Sequence, residues 1–353
     1  MAIIDSDAHV IETEQTWQYF SEAEQQYRPV RLAQVSPEGT QKEYWLIDGR
    51  LHAVRDGALN LFDSSGLGDK VQTPDASRLM ADVDARVRHM DELGTDIQVL
   101  YPTLYINPYT DRSDVELAMC RAYNRWMADL WAQGKGRLRW AVVLPMRSME
   151  PALEEMRWGK EHGACAVFSR GLECGNMMLS NSYFSPVYEQ ARDLDMGICV
   201  HTGNGSFELS DFYAGETGFS KFKLVGVGCF HHVVFNQIPD RFPGLRFGFI
   251  ELSSNWVPYV TSDLNRRFER LGKPVKENVL RDNNIYVTCQ NNDDLAYVMS
   301  HVGDDNLVMG TDYGHADTST EIHALQTFKT DGAVSAASVE KILDRNARAL
   351  YAF

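Results

Sequence analysis

The sequence contains no apolar stretch long enough to cross a membrane, and its first residues lack the basic and apolar blocks of a secretion signal. Both absences lead us to expect a soluble, cytoplasmic protein with no membrane partner. A basic surplus is missing as well. With 49 acidic against 34 basic residues the net charge is −15, which argues against nucleic acid, since that partner rewards a basic face. A small-molecule substrate remains compatible, because a few basic groups suffice to line a cleft. The six cysteines, Cys120, Cys165, Cys174, Cys199, Cys229 and Cys289, form no CxxC pair. They read as reduced core residues, not as a disulfide frame or a thiolate zinc site. Internal repeats, low-complexity tracts and Pro/Gly/Ser linkers are also absent, so residues 1–353 read as a single domain.

What the chain does contain is a series of short apolar, β-branched runs at 2–9, 96–102, 138–145, 164–170, 196–201, 245–251, 284–289 and 307–312. Most are nearly continuous in apolar residues, the mark of parallel strands covered on both faces. Amphipathic segments lie between them at 75–94, 114–134, 149–163 and 183–195. Strand and helix alternating eight times predict an α/β fold, a (β/α)8 TIM barrel. Residues 10–75 form an insertion after the first strand. Within it "KEYWLIDGRLHAV" predicts a β-hairpin turning at Asp48-Gly49 and capping the barrel mouth.

Active sites of such barrels sit where the strands end. The first strand, "IIDSDAHV", ends on Asp7 and His9, which alternation places on one face. Carboxylates there are costly to bury unless something binds them. The fourth strand ends on Arg170, the fifth on His201, the sixth on Glu251 and the eighth on Asp312. Carboxylates and imidazoles converging from four strands predict a metal site held by Asp7, His9, His201 and Asp312. Oxygen and nitrogen ligands without cysteine suit zinc, manganese or iron.

These strand-end residues, with "YFSPVYEQARDLDMGICVHTGNG", "IPDRFPGLRFGFIELSSNWVPYV" and "EKILDRNARALYAF", resemble the amidohydrolase superfamily. The branch is the amidohydrolase-2 group typified by aminocarboxymuconate-semialdehyde decarboxylase, and the resemblance runs from residue 3 to the end. It departs from familiar members in three places. Asp7 stands where hydrolytic relatives have the first His of HxH, strand four ends in "FSRG" without a bridging lysine or glutamate, and Gly314 and His315 replace a Pro-aromatic pair.

Further candidate ligands exceed the needs of one ion: Glu251, His315, His232 (or its neighbour His231) in "FHHVVFN", and His52 in the hairpin. The surplus, together with a non-haem dinuclear (Fe/Fe or Mn/Fe) oxygenase subgroup of this superfamily, implies a monooxygenase that uses O2 on a small carboxylate- or amino-acid-like substrate. Glu251, His232 and His315 would be catalytic, and Arg170 or Arg50 would hold the substrate carboxylate. The alternative is a mononuclear, zinc- or manganese-type non-oxidative decarboxylase or hydrolase, with His232 or Glu251 moving the proton. A homo-oligomer, or a hetero-oligomer with a paralogous chain, is expected from the resemblance and from the apolar faces marked by Trp126, Trp131 and Trp158.

Overall fold

A computed structural model describes residues 1–35, 41–53, 72–216, 218–316 and 319–353. Its strands run in chain order as β1 (Ile4–His9), β2 (Val30–Val35), β3 (Gln41–Ile47), β4 (Arg50–Ala53), β5 (Ile97–Tyr101), β6 (Leu138–Val142) and β7 (Ala164–Ser169). They continue with β8 (Leu172–Glu173), β9 (Met177–Met178), β10 (Gly197–His201), β11 (Phe247–Ile250), β12 (Ile285–Cys289) and β13 (Leu307–Met309). Eight of these form one parallel sheet in the order β1-β5-β6-β7-β10-β11-β12-β13, matching the eight predicted runs. The sheet comes round on itself where the chain leaves β13. Thr311 and Asp312 donate their amides to Asp7 O at 3.2 and 2.9 Å, and the His9 amide donates to Tyr313 O at 2.7 Å. The architecture is a (β/α)8 barrel.

The barrel strands are apolar along their length because helices cover them outside and neighbouring side chains fill them inside. Val99, Val142, Val167, Val200, Phe249 and Val287 are all buried, and burying each such side chain contributes roughly 1.5–3 kcal/mol. The long helix Ser113–Gln133 buries Val115, Met119, Ala122, Trp126 and Leu130 at three- and four-residue spacing. Trp126 is therefore core, while Trp131 and Trp158 pack against the core only in part. All six cysteines are buried and free.

Two predicted elements differ. The amphipathic stretch 75–94 is two helices, Asp75–Arg78 and Val83–Leu93, because Met80 takes a left-handed conformation (φ 53°) and the Ser77 carbonyl is captured by Arg86. The insertion holds a three-stranded antiparallel sheet, β2-β3-β4, where a hairpin is predicted. Its Asp48-Gly49 turn is as predicted, with both residues at positive φ (47° and 79°). Trp45 is buried and meets Trp17 edge-on at 5.7 Å. The stretches 36–40 and 54–71 of the predicted insertion, with the hairpin's last residue Val54 among them, lie outside the described residues.

Candidate metal centre

Two features of the backbone gather the strand-end side chains. In β1 the register slips, so that Asp5 faces Gln98 and Ala8 faces Leu100; an extra residue of this kind re-aims the side chains beyond it. Glu251 and Asp312 then leave their strands in the left-handed region, at φ 61° and 51°. Such conformations cost about 1–3 kcal/mol each and persist only where surrounding contacts hold them. The Glu251 amide donates to Thr288 Oγ1 at 2.8 Å, and Thr320 Oγ1 donates to Asp312 Oδ2 at 2.7 Å.

Gly310 is the last residue before this turn, and a Cβ there would overlap the Cβ and amide nitrogen of Asp7. Only glycine lets the end of β13 lie so close to β1.

The result is two overlapping groups of buried donors: His9, Glu251, Asp312 and His315, and Asp7, His9 and His201. The three imidazoles follow one rule. Each has one ring nitrogen held by a protein acceptor and the other turned to a carboxylate. His9 Nδ1 lies 3.1 Å from Pro102 O and His201 Nδ1 3.0 Å from Thr202 O. Thr103 Oγ1 donates to Val10 O, so it accepts from His315 Nε2 at 2.9 Å. Facing inward, His9 Nε2 is 3.5 Å from Asp7 Oδ1 and 3.4 Å from Asp312 Oδ1. His201 Nε2 is 3.2 Å from Asp7 Oδ1, and His315 Nδ1 is 2.8 Å from Asp312 Oδ1.

With the outer nitrogens donating, each inner nitrogen presents a lone pair to a carboxylate oxygen. Two acceptors at that distance require a cation between them, either a proton or a metal ion. His9 Nε2 is buried without a hydrogen-bond partner, and outer hydrogen bonds that fix tautomer and ring orientation are what metal-binding histidines use. The residues therefore fit a divalent ion. The same electrostatics appear in the acidities. Burial opposes ionisation of Asp7, but its hydrogen bond with His201 and the charges of His201 and His9 outweigh it and pull the carboxyl down to about 2. Burial also opposes charge on His201, and its bond to Asp7 nevertheless raises it to about 9.

Beneath the centre lies a network the sequence reading missed. Asp5, pushed up to about 6 chiefly by burial, accepts from Thr311 Oγ1 and Gln98 Nε2 at 2.6 and 3.0 Å. Gln98 accepts from Arg86 Nε at 2.7 Å, and Arg86 also donates to His9 O at 3.1 Å while lying over the Tyr313 ring. Thr103, two residues past the end of β5, could have been found as a polar strand-end residue. Arg86 sits in a helix and carried no signal.

Three predicted site residues stand elsewhere. His232 is exposed on the outer helix Leu224–Phe235, outside both donor groups; its neighbour His231 meets Asp263 of the adjacent helix at 3.1 Å. Arg170 is buried with its guanidinium occupied by Glu173 and the carbonyls of Tyr105 and Asn107, so none of these contacts leaves it turned to a substrate. His52 is outside both donor groups but lines a cavity of about 500 Å³ together with Arg50, Trp45, Phe207 and Thr103. Thr103 gives that cavity a shared wall with His315.

The amidohydrolase family model matches residues 4–353, and the chain belongs to that family. No curated protein matches it by sequence. Among solved structures, an amidohydrolase from Mycobacterium avium subsp. paratuberculosis K-10 is 18% identical with a TM-score of 0.79, covering 99% of each chain. The 5-carboxyvanillate decarboxylase of Sphingomonas paucimobilis is 14% identical with a TM-score of 0.70, covering 100% of this chain and 99% of the other. A dihydroxybenzoic acid decarboxylase from Polaromonas sp. JS666, solved with bound manganese and 2-nitroresorcinol, is 20% identical with a TM-score of 0.69, covering 99% and 97%. Likeness at these identities is likeness of fold.

Proposed function

We propose that the protein is a metal-dependent enzyme that acts without O2, a non-oxidative decarboxylase of a small unsaturated or aromatic carboxylate. The observation that carries the reading is the set of three imidazoles turned inward on buried carboxylates, sharing the Thr103 wall with a 500 Å³ cavity. Asp7, His9, His201 and Asp312 would hold the ion, which supplies polarisation of a substrate oxygen. Manganese in the Polaromonas decarboxylase supports an ion of this type in the same fold.

This chain's residues do the rest. Arg50, lying over the Phe207 ring at 3.8 Å on the cavity side of β4, attracts an anionic substrate and orients it. In the reaction the bond from carbon to the carboxylate breaks, CO2 leaves, the electron pair stays on carbon, and one proton is delivered there. Glu251, 3.5 Å from His201 Nδ1 at the mouth of the barrel, is the group placed to move that proton. Turnover of a panel of aromatic and enoic acids by manganese- or zinc-loaded protein, followed as CO2 release, should proceed equally with and without air. Activity that vanishes under nitrogen would contradict the reading.

A dinuclear oxygenase is the second reading, and one observation favours it. If His9 joins Asp7 and His201, then Glu251, Asp312 and His315 remain as a second three-residue set. Two ions per chain, at least one of them iron, and O2-dependent turnover would establish it over the first.

A further inference from the structure

The segment from Asp5 to His9 carries two of the candidate ligands, and side chains from outside the strand grip it at both ends. Ser6 and Asp7 together span the single residue Val99 of β5, so neither has a register partner there. Asp5 supplies what the ladder does not. Its Oδ1 accepts the Asp7 amide at 3.2 Å and the Thr311 amide at 3.0 Å, and its Oδ2 accepts Thr311 Oγ1 and Gln98 Nε2. One carboxylate thereby joins the bulge of β1 to the turn that leads from β13 to Asp312. At the other end of the segment Arg86 donates to His9 O at 3.1 Å, and its Nε donates to Gln98 Oε1 at 2.7 Å. Asp5, Gln98 and Arg86, all buried, bridge the segment from its start to its end.

The bridge has a direction. Every group that touches Asp5 donates to it, and a guanidinium only donates, so Gln98 must turn its carbonyl oxygen to Arg86 and its NH2 to Asp5. A buried charged set of this kind adds little stability over apolar residues of the same volume. What it supplies here is the placement of the backbone that carries Asp7 and His9.

We infer that Asp5 is a positioning residue for the metal centre: with Gln98 and Arg86 it holds the bulged segment so that Asp7 and His9 face the ion. The inference rests on the metal-dependent reading of the site, and it is tested by metal affinity and spectrum, not by turnover. Manganese chloride would be titrated calorimetrically into full-length protein, stripped of metal and shown to be folded by circular dichroism. Asp5→Asn sets an NH2 against that of Gln98, and Gln98→Glu sets a carboxylate against that of Asp5. Each should weaken manganese binding about tenfold.

The double variant Asp5→Asn/Gln98→Glu exchanges amide and carboxylate, which remakes the chain of donors and acceptors to Arg86 at the same net charge. Its affinity should return to within about threefold of the wild type. The electron paramagnetic resonance spectrum of the bound manganese should broaden in each single variant and narrow again in the double one. Arg86→Lys keeps the charge but offers one nitrogen in place of the two that Gln98 and His9 O use; it should also bind about tenfold more weakly, and it decides the case should a single variant lose its fold. Wild-type affinity in these variants, or a double variant that binds no better than the weaker single one, would overturn the inference. A wild type that binds no manganese would overturn the metal-enzyme reading as well, so the two failures are distinguishable.

Discussion

Asp7 and Gly310 are closely apposed, a candidate ligand and the glycine that makes room for it. Gly310→Ala forces the two chains apart at the point where β13 meets β1. We expect a loss of about 1–3 kcal/mol in urea unfolding, typical of overpacking, together with weakened metal binding. Wild-type stability and metal content in that variant would show that Asp7 does not need its present place.

A second residue-scale prediction concerns Glu116, buried in the helix Ser113–Gln133 and accepting the Arg147 amide at 2.8 Å. Burial raises its pKa from 4.5 to about 7. The folded state thus holds the proton more tightly than the unfolded chain. Its stability contribution is complete below pH 4.5 and is lost as pH rises through 7, to an extent on the order of 3 kcal/mol. Glu116→Gln keeps the acceptor without the charge. Its urea midpoint should match the wild type at pH 4 and exceed it at pH 8; equal midpoints at both would contradict this.

The site was legible where chemistry coincided with a strand end. Asp7, His9, His201, Glu251, Asp312 and His315 could be singled out because apolar runs stop at or just before them. Arg170 shows the limit of the same rule: it too ends a strand, but Glu173, three residues on, binds it from the loop. His232 (or its neighbour His231) was singled out within the helical motif "FHHVVFN", and a helix gives its residues faces that depend on packing, which the sequence does not reveal.

At the scale of elements, the eight barrel strands were readable because burial on both faces imposes a continuous apolar pattern. β2 was not, since every one of its residues is exposed and no face of it is marked by hydrophobicity. The break inside 75–94 was hidden for a related reason: the helical period continues across it, while the interruption comes from a tertiary bond between Arg86 and the Ser77 carbonyl. The three-stranded sheet is held by Trp45 against Trp17, which lies in the short helix Thr16–Tyr19 of the same insertion. Trp45→Ala should remove about 3–5 kcal/mol of packing and speed proteolytic cleavage within Val30–Ala53, with metal content preserved. Cleavage at the wild-type rate would mean that other contacts anchor the sheet.

Over the whole molecule, an acidic chain concentrates three carboxylates at one barrel mouth and balances them with three imidazoles whose outer nitrogens are already engaged. Among the described residues no helix is long and apolar enough to cross a membrane. The central claim is that this cluster holds a divalent ion, and elemental analysis of protein loaded separately with manganese, zinc and iron tests it most directly. The account predicts about one ion per chain in the wild type, and its loss in Asp312→Ala with the circular-dichroism spectrum of a folded barrel retained. A wild type that stays metal-free after loading, or an Asp312→Ala protein that keeps its full complement, would contradict it.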